Sequence, residues 1–79
     1  MKLSVSPMTP TQSRMARAAL QWSLHDLAAA SSVSRMTCAR FEGGKQVAPG
    51  SVDTMRAALE GAGASFTDDG KKIGVAIPR

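Results

Sequence analysis

The chain contains a single cysteine, Cys38, and this limits how a protein of 79 residues can be held together. No internal disulfide can form, and no group of cysteines and histidines has the spacing of a zinc site. A domain of this size is near the lower limit at which hydrophobic packing alone gives a stable core. We therefore expect one small domain with no metal or cofactor, and association with a second copy would help to complete its core.

Helix-capping signals divide most of the chain into short helices. Thr9, followed by Pro10 and by a glutamine three positions after the cap, forms a capping box. Ser23 repeats this signal with an aspartate, and Ser34 and Ser51 are further N-cap candidates. Paired glycines stop the third helix. The predicted helices are residues 10–21, 24–30 and 35–42, and a fourth that follows Ser51 and ends near Gly61 and Gly63.

Apolar residues with helical spacing support two of these helices. In the first, the run is Met15, Ala18, Ala19 and Trp22, and in the fourth it is Val52, Met55, Leu59 and Ala62.

The spacing of apolar residues changes after the fourth helix. Phe66 precedes the turn residues 68–70, and Ile73, Val75 and Ile77 then alternate with other residues, which is typical of strands. Residues 63–79 are therefore predicted to form a β-hairpin, or one strand that awaits a partner. The expected fold class is mainly α, a bundle of about four helices with a C-terminal strand or hairpin.

Charge is distributed unevenly. Residues 1–50 contain six lysines and arginines against two acids, whereas residues 51–79 contain four against four. This asymmetry favours a polyanionic partner. Residues 1–8 are expected to form a flexible arm. They have neither the apolar run of a signal peptide nor that of a membrane span, so we expect a cytoplasmic protein without a membrane partner.

The third predicted helix has two contrasting sides. At about 100° per residue, Arg35, Met36, Ala39 and Arg40 fall within an arc of roughly 140°, and Cys38 lies opposite them with a phenylalanine. The ordinary interpretation is a solvated face above a buried one. The alternative is a helix that enters the DNA major groove, where arginine can donate two hydrogen bonds to guanine.

The segment RAALQWSLHDLAAASSVSRMTCARFEGGK resembles the Cro/repressor-type helix-turn-helix of the XRE family. The similarity covers residues 14–45 closely and extends to about Phe66. It depends on Leu27-Ala28, Val33-Ser34 and Glu42 at these spacings. The resemblance implies a lambda-repressor-like fold and double-stranded DNA as the partner.

The resemblance also implies roles for individual residues. Base-reading positions are Arg35, Met36, Thr37, Ala39 and Arg40. Phosphate-binding positions are Ser23, His25, Ser34, Gly43, Lys45 and Gln46. Arg17 and Glu42 correspond to a structural ion pair, and Cys38 corresponds to a buried aliphatic residue. No catalytic or metal-binding residue is implied.

Two positions depart from the family pattern. Gln21 and Ser32 stand where the family often has glycine, at turns that can require a positive φ. That conformation costs a residue with a side chain about 1 kcal/mol or more, so we expect the turn geometry to be affected.

These observations favour a transcriptional regulator, most simply a dimeric repressor or autoregulator that binds an inverted-repeat operator. Ile73, Val75 and Ile77 are the predicted dimer contact, with packing against the chain's own fourth helix as the alternative. Other candidate functions are an antitoxin that also binds a toxin and a regulator of a phage or mobile-element anti-defence operon. An enzyme is disfavoured because no paired carboxylates, phosphate-binding loop or nucleophile–base arrangement is evident.

Overall fold

The computed structural model describes residues 8–79, which form four helices and a two-stranded antiparallel sheet. Their bounds in chain order are α1 Pro10–Leu20, α2 Leu24–Ser31, α3 Arg35–Glu42, α4 Pro49–Gly61, β1 Ser65–Asp68 and β2 Ile73–Ala76. The predicted mainly helical class with a C-terminal hairpin is therefore confirmed. The predicted arm lies outside the described residues except for Met8, which is buried in the core and is not loose.

The caps of the first three helices form as predicted. In the α1 capping box the backbone N–H of Gln12 donates to Thr9 Oγ1 at 3.0 Å, and Thr9 N–H donates to Gln12 Oε1 at 3.0 Å. Ser23 and Asp26 form the equivalent box at α2. These interactions satisfy N–H groups that have no partner inside the helix.

The predicted start of α4 is wrong. The helix begins at Pro49, its N-cap is Ala48, and no side chain caps it. Ser51 lies within the first turn of the helix. Proline has no N–H to leave unsatisfied and its φ is already helical, so Pro49 can begin the helix without a capping side chain.

Two non-glycine residues adopt the left-handed conformation at the ends of helices. Gln21 has φ 60° after α1, and Ser32 has φ 61° after α2. The turns at these two positions were expected to be altered because neither residue is glycine, but both side chains are accommodated at the positive φ itself, so that expectation is wrong. Ser31 supports the second turn, because its hydroxyl donates to the Leu27 carbonyl at 2.7 Å and accepts from Val33 N–H at 3.2 Å.

The core lies between the helices, with α2 packed against both α3 and α4. It joins residues from every helix, from the segment before α1 and from the segment before β1. Its buried apolar members are Met8, Ala16, Leu27, Cys38, Phe41, Val52, Met55, Leu59 and Ala64.

The buried side of α1 is largely polar. Gln12 and Ser13 are buried together with Ala16, whereas Met15 and the alanines at 18 and 19 are exposed. The apolar spacing that located this helix therefore marks its outer side. The polar residues point inwards because each has a hydrogen-bond partner there, which removes the cost of burying them.

The hairpin packs on α1 of its own chain. Phe66 pairs with Val75 across the two strands. Gln12 Nε2 donates to the carbonyls of Thr67 at 2.8 Å and Gly74 at 3.3 Å. This side chain therefore caps α1 with its oxygen and holds the sheet with its nitrogen.

The predicted dimer residues are partly used within the chain. Ile73, Val75 and Ile77 are all half-buried, and Val75 and Ile77 pack against the core. The intrachain alternative predicted packing against α4, but the helix that β2 contacts most is α1. The α4 helix touches the other strand, where the Arg56 guanidinium lies 5.0 Å from the centre of the Phe66 ring. Contact of this hairpin with a second copy stays a prediction.

Candidate nucleic-acid interface

The outward face of α3 carries two arginines and little else that is polar. Arg35, Met36, Ala39 and Arg40 are all exposed. Within residues 8–79, neither Arg35 nor Arg40 makes a side-chain hydrogen bond or an ion pair. Both guanidinium groups therefore keep all their N–H donors available for a partner.

The opposite side of α3 holds the helix to the domain. Cys38 is completely buried, and Phe41 is buried beside it in the core. Burial raises the pKa of the Cys38 thiol, because desolvation penalises the thiolate. The cysteine therefore packs as a small neutral residue, as expected for a position that corresponds to a buried aliphatic residue.

The C-terminal residue of α3, Glu42, is held by α1. Its side chain is 6% exposed, and the carboxylate accepts from Arg17 Nη2 at 2.7 Å on Oε1 and from Arg17 Nε at 2.8 Å on Oε2. The expected ion pair between Arg17 and Glu42 is thus present, with two parallel bonds. Hydrogen bonding to Glu42 raises the pKa of Arg17, since it favours the charged guanidinium.

Arg17 also reaches the turn that precedes α2. Its Nη1 donates to the carbonyl of Trp22 at 3.0 Å, one residue before the cap of that helix. One side chain therefore connects the start of α2 to the end of α3.

Two further residues of α1 contact Glu42 and were not expected. Ser13 Oγ donates to Glu42 Oε2 at 2.7 Å, and Arg14 Nη1 donates to the Glu42 backbone carbonyl. The sequence contained one signal for Arg14, because it precedes Arg17 by three residues and so shares its face of the helix. Nothing comparable marked Ser13, whose partner is 29 residues away.

The start of α2 is less suited to phosphate than expected. Ser23 and His25 are exposed there, but Asp26 is exposed beside them. The backbone N–H of Ser23 donates to Asp26 Oδ2 at 2.8 Å, and this hydrogen bond lowers the pKa of the aspartate. A negative charge therefore stands at the helix terminus where a phosphate would have to approach.

The start of α3 has no such charge. Ser34 Oγ accepts from Thr37 N–H at 3.1 Å and donates to Thr37 Oγ1 at 2.9 Å, and the first turn contains no acid. Thr37 is only half-exposed and its hydroxyl is bonded to Ser34. Of the residues expected to read bases, Thr37 is the one that does not lie on the outward face.

The segment after α3 is held by the helix end. Gly43 N–H donates to the Ala39 carbonyl at 2.9 Å, and Lys45 N–H donates to the Arg40 carbonyl at 2.9 Å. Gly43 was expected to bind phosphate, but helix termination already uses its backbone N–H. The side chains of Lys45 and Gln46 are exposed and remain available.

The described residues show neither a metal-binding cluster nor a membrane-spanning helix. Within residues 8–79, no cluster of three or more histidines, cysteines or acids could hold a metal ion. None of the helices described has both the length and the apolar character needed to cross a membrane.

Comparison with known proteins finds no family model that matches this chain and no curated protein that is similar to it.

Proposed function

We propose that this protein is a sequence-specific regulator that binds double-stranded DNA and inserts α3 into the major groove, in a lambda-repressor-like helix-turn-helix arrangement. One observation carries the proposal. Arg35 and Arg40 stand on the exposed side of a short helix with no polar partner in residues 8–79, while Cys38 fixes the other side in the core. A helix of this kind fits the width of the major groove.

The side chains divide into two roles. Arg35 and Arg40 are suited to donate two hydrogen bonds each to guanine, which discriminates among base pairs. Lys45, with Gln46 beside it, is suited to phosphate, which contributes affinity but carries no sequence information. The excess of basic residues in the first two-thirds of the chain supports attraction to a polyanion.

A single copy would cover few base pairs, because α3 has only eight residues. We therefore include a symmetric dimer in the proposal, bound to an inverted repeat whose half-sites lie about 34 Å apart. The hairpin is the proposed contact between the copies, through the parts of Ile73, Val75 and Ile77 that its own chain leaves exposed. Such a protein would act in the cytoplasm as a repressor, by occupying a promoter.

Selection of bound DNA from a random duplex pool tests the proposal. The expected result is a palindromic motif with guanine in each half-site. Recovery of unenriched sequence from repeated selections with the folded protein would refute sequence-specific binding. A motif without symmetry would refute the dimer only.

A further inference from the structure

We infer that Met36 recognises the C5-methyl group of a thymine, and that it is a specificity-determining residue of the DNA-binding face; this inference rests on the proposed function. The thymine methyl would give Met36 a binding partner, which this exposed side chain does not have within residues 8–79 of its own chain.

Met36 has an exposure that requires explanation. In the part of the chain that the structure describes, two large apolar side chains are exposed, Met36 at 74% and Met15 at 37%. Met36 is also absent from the core cluster and from the apolar residues packed against it. An unbranched thioether chain of this length gains free energy when an apolar surface covers it.

The position of Met36 on α3 indicates what covers it. At about 100° per residue, the order around the helix is Arg35, Ala39, Met36 and Arg40. The exposed face thus has an apolar centre with a cation on each side. The charges favour a polyanion over a second copy of the same face, because two copies would bring four guanidinium groups together.

DNA offers few apolar groups to such a centre. Among the base edges in the major groove, the C5-methyl of thymine is the apolar group, while the other edges present hydrogen-bond donors and acceptors. Ala39 adds a methyl beside Met36 and leaves room for close approach. The two arginines would bind guanines on either side, so the thymine is expected within the same half-site.

On this inference Met36 contacts only the methyl group and not the rest of the base. A 5-methylcytosine carries the same group at the same position in the groove. The experiment therefore has to separate the methyl from the base pair that carries it.

The test uses the duplex selected from the random pool by the wild-type protein, with each thymine of one half-site replaced in turn by uracil. Loss of one contacted methyl is expected to weaken binding about threefold to fivefold at a single position. At that position, 5-methylcytosine paired with guanine is expected to bind more tightly than cytosine by a similar factor.

Two variants test whether Met36 is the residue that senses the thymine methyl. Met36→Ala should bind thymine and uracil duplexes equally, because the group that senses the methyl is gone. Met15→Ala is the matched control, since it removes an exposed methionine from α1 and should keep the full thymine-to-uracil difference. Thermal unfolding of both variants confirms that each is folded when it is assayed.

The outcomes are distinct. If no thymine position responds to uracil, or if Met36→Ala keeps the response, the inference is wrong although DNA binding stands. If the pool yields no motif at all, the proposed function is wrong and the inference falls with it.

Discussion

Arg17 and Glu42 join the first and third helices through two parallel hydrogen bonds, 2.8 Å from Nε to Oε2 and 2.7 Å from Nη2 to Oε1. The pair is largely enclosed, with Glu42 the more buried partner. Because Arg17 also holds the Trp22 carbonyl, it sets the position of α3 relative to the start of α2. The exposed face of α3 depends on this connection for its orientation.

Removal of Arg17 should therefore destabilise the domain strongly. Arg17→Ala leaves the Glu42 carboxylate buried with one remaining side-chain donor, Ser13, and a cost of about 3–5 kcal/mol is expected. Arg17→Lys keeps the charge but cannot make the two parallel bonds, so it should be intermediate. Urea unfolding measures both variants.

A double variant supplies the control. Arg17→Met combined with Glu42→Leu removes both charges and should recover most of the stability, since no unpaired carboxylate remains. If Arg17→Ala alone left the free energy of unfolding unchanged within about 0.5 kcal/mol, the pair would not hold α3 in place.

The strain at the two left-handed residues that flank α2 should have a measurable effect on the free energy of unfolding. Gln21→Gly and Ser32→Gly should each stabilise the protein by about 0.5–1 kcal/mol, because glycine adopts φ near 60° without a Cβ clash. Ala29→Gly is the matched control, since it lies inside α2 and should cost about 1 kcal/mol. A loss of stability in both turn variants would show that these conformations carry no strain.

Asp26 gives a prediction for the dependence of stability on pH. Its pKa in the folded protein is lowered by the hydrogen bond from Ser23 N–H, below the value of 3.8 that applies to an unperturbed aspartate. The ionised cap therefore stabilises the protein above about pH 4, and this stabilisation is lost as the pH falls through the folded pKa. Asp26→Asn keeps an acceptor at the cap but does not titrate.

Unfolding free energies of the wild type and Asp26→Asn are measured between pH 2 and 7; the advantage of the wild type should grow as the pH rises from the folded pKa of Asp26 to about pH 4 and stay constant above it. Parallel curves over the whole range would contradict the capping assignment. The same variant should bind DNA more tightly at neutral pH, because it removes a negative charge from the terminus of α2.

Local interactions were predictable from the sequence. The caps at Thr9, Ser23 and Ser34 involve residues three positions apart, so the pattern that predicts them contains both partners. The hairpin was predictable for the same reason, since the turn and the alternating residues of β2 are neighbours in the chain.

The orientation of α1 could not be predicted in this way. Apolar spacing marked Met15 and its neighbours, yet the buried residues include Gln12 and Ser13. Their burial is favourable only because Thr67, Gly74 and Glu42 supply hydrogen-bond partners from distant parts of the chain. Such partners do not appear in the periodicity of a single helix.

The candidate site was predictable in its outline and not in its details. A helical wheel separates Arg35 and Arg40 from Cys38, and the structure keeps this separation. The use of Gly43 N–H by the helix end was not foreseen, because it depends on how the last turn closes.

In the complex that we propose, the arginines of α3 read bases while Lys45 contacts phosphate. The affinities of Arg35→Ala, Arg40→Ala and Lys45→Ala are measured on the selected duplex and on random DNA over a range of salt concentrations. Each arginine variant should lose about 1–3 kcal/mol of discrimination between the two duplexes, and Lys45→Ala should weaken both equally and reduce the salt slope by about one. Equal losses on both duplexes for all three variants would contradict the assignment of α3 as the reading helix.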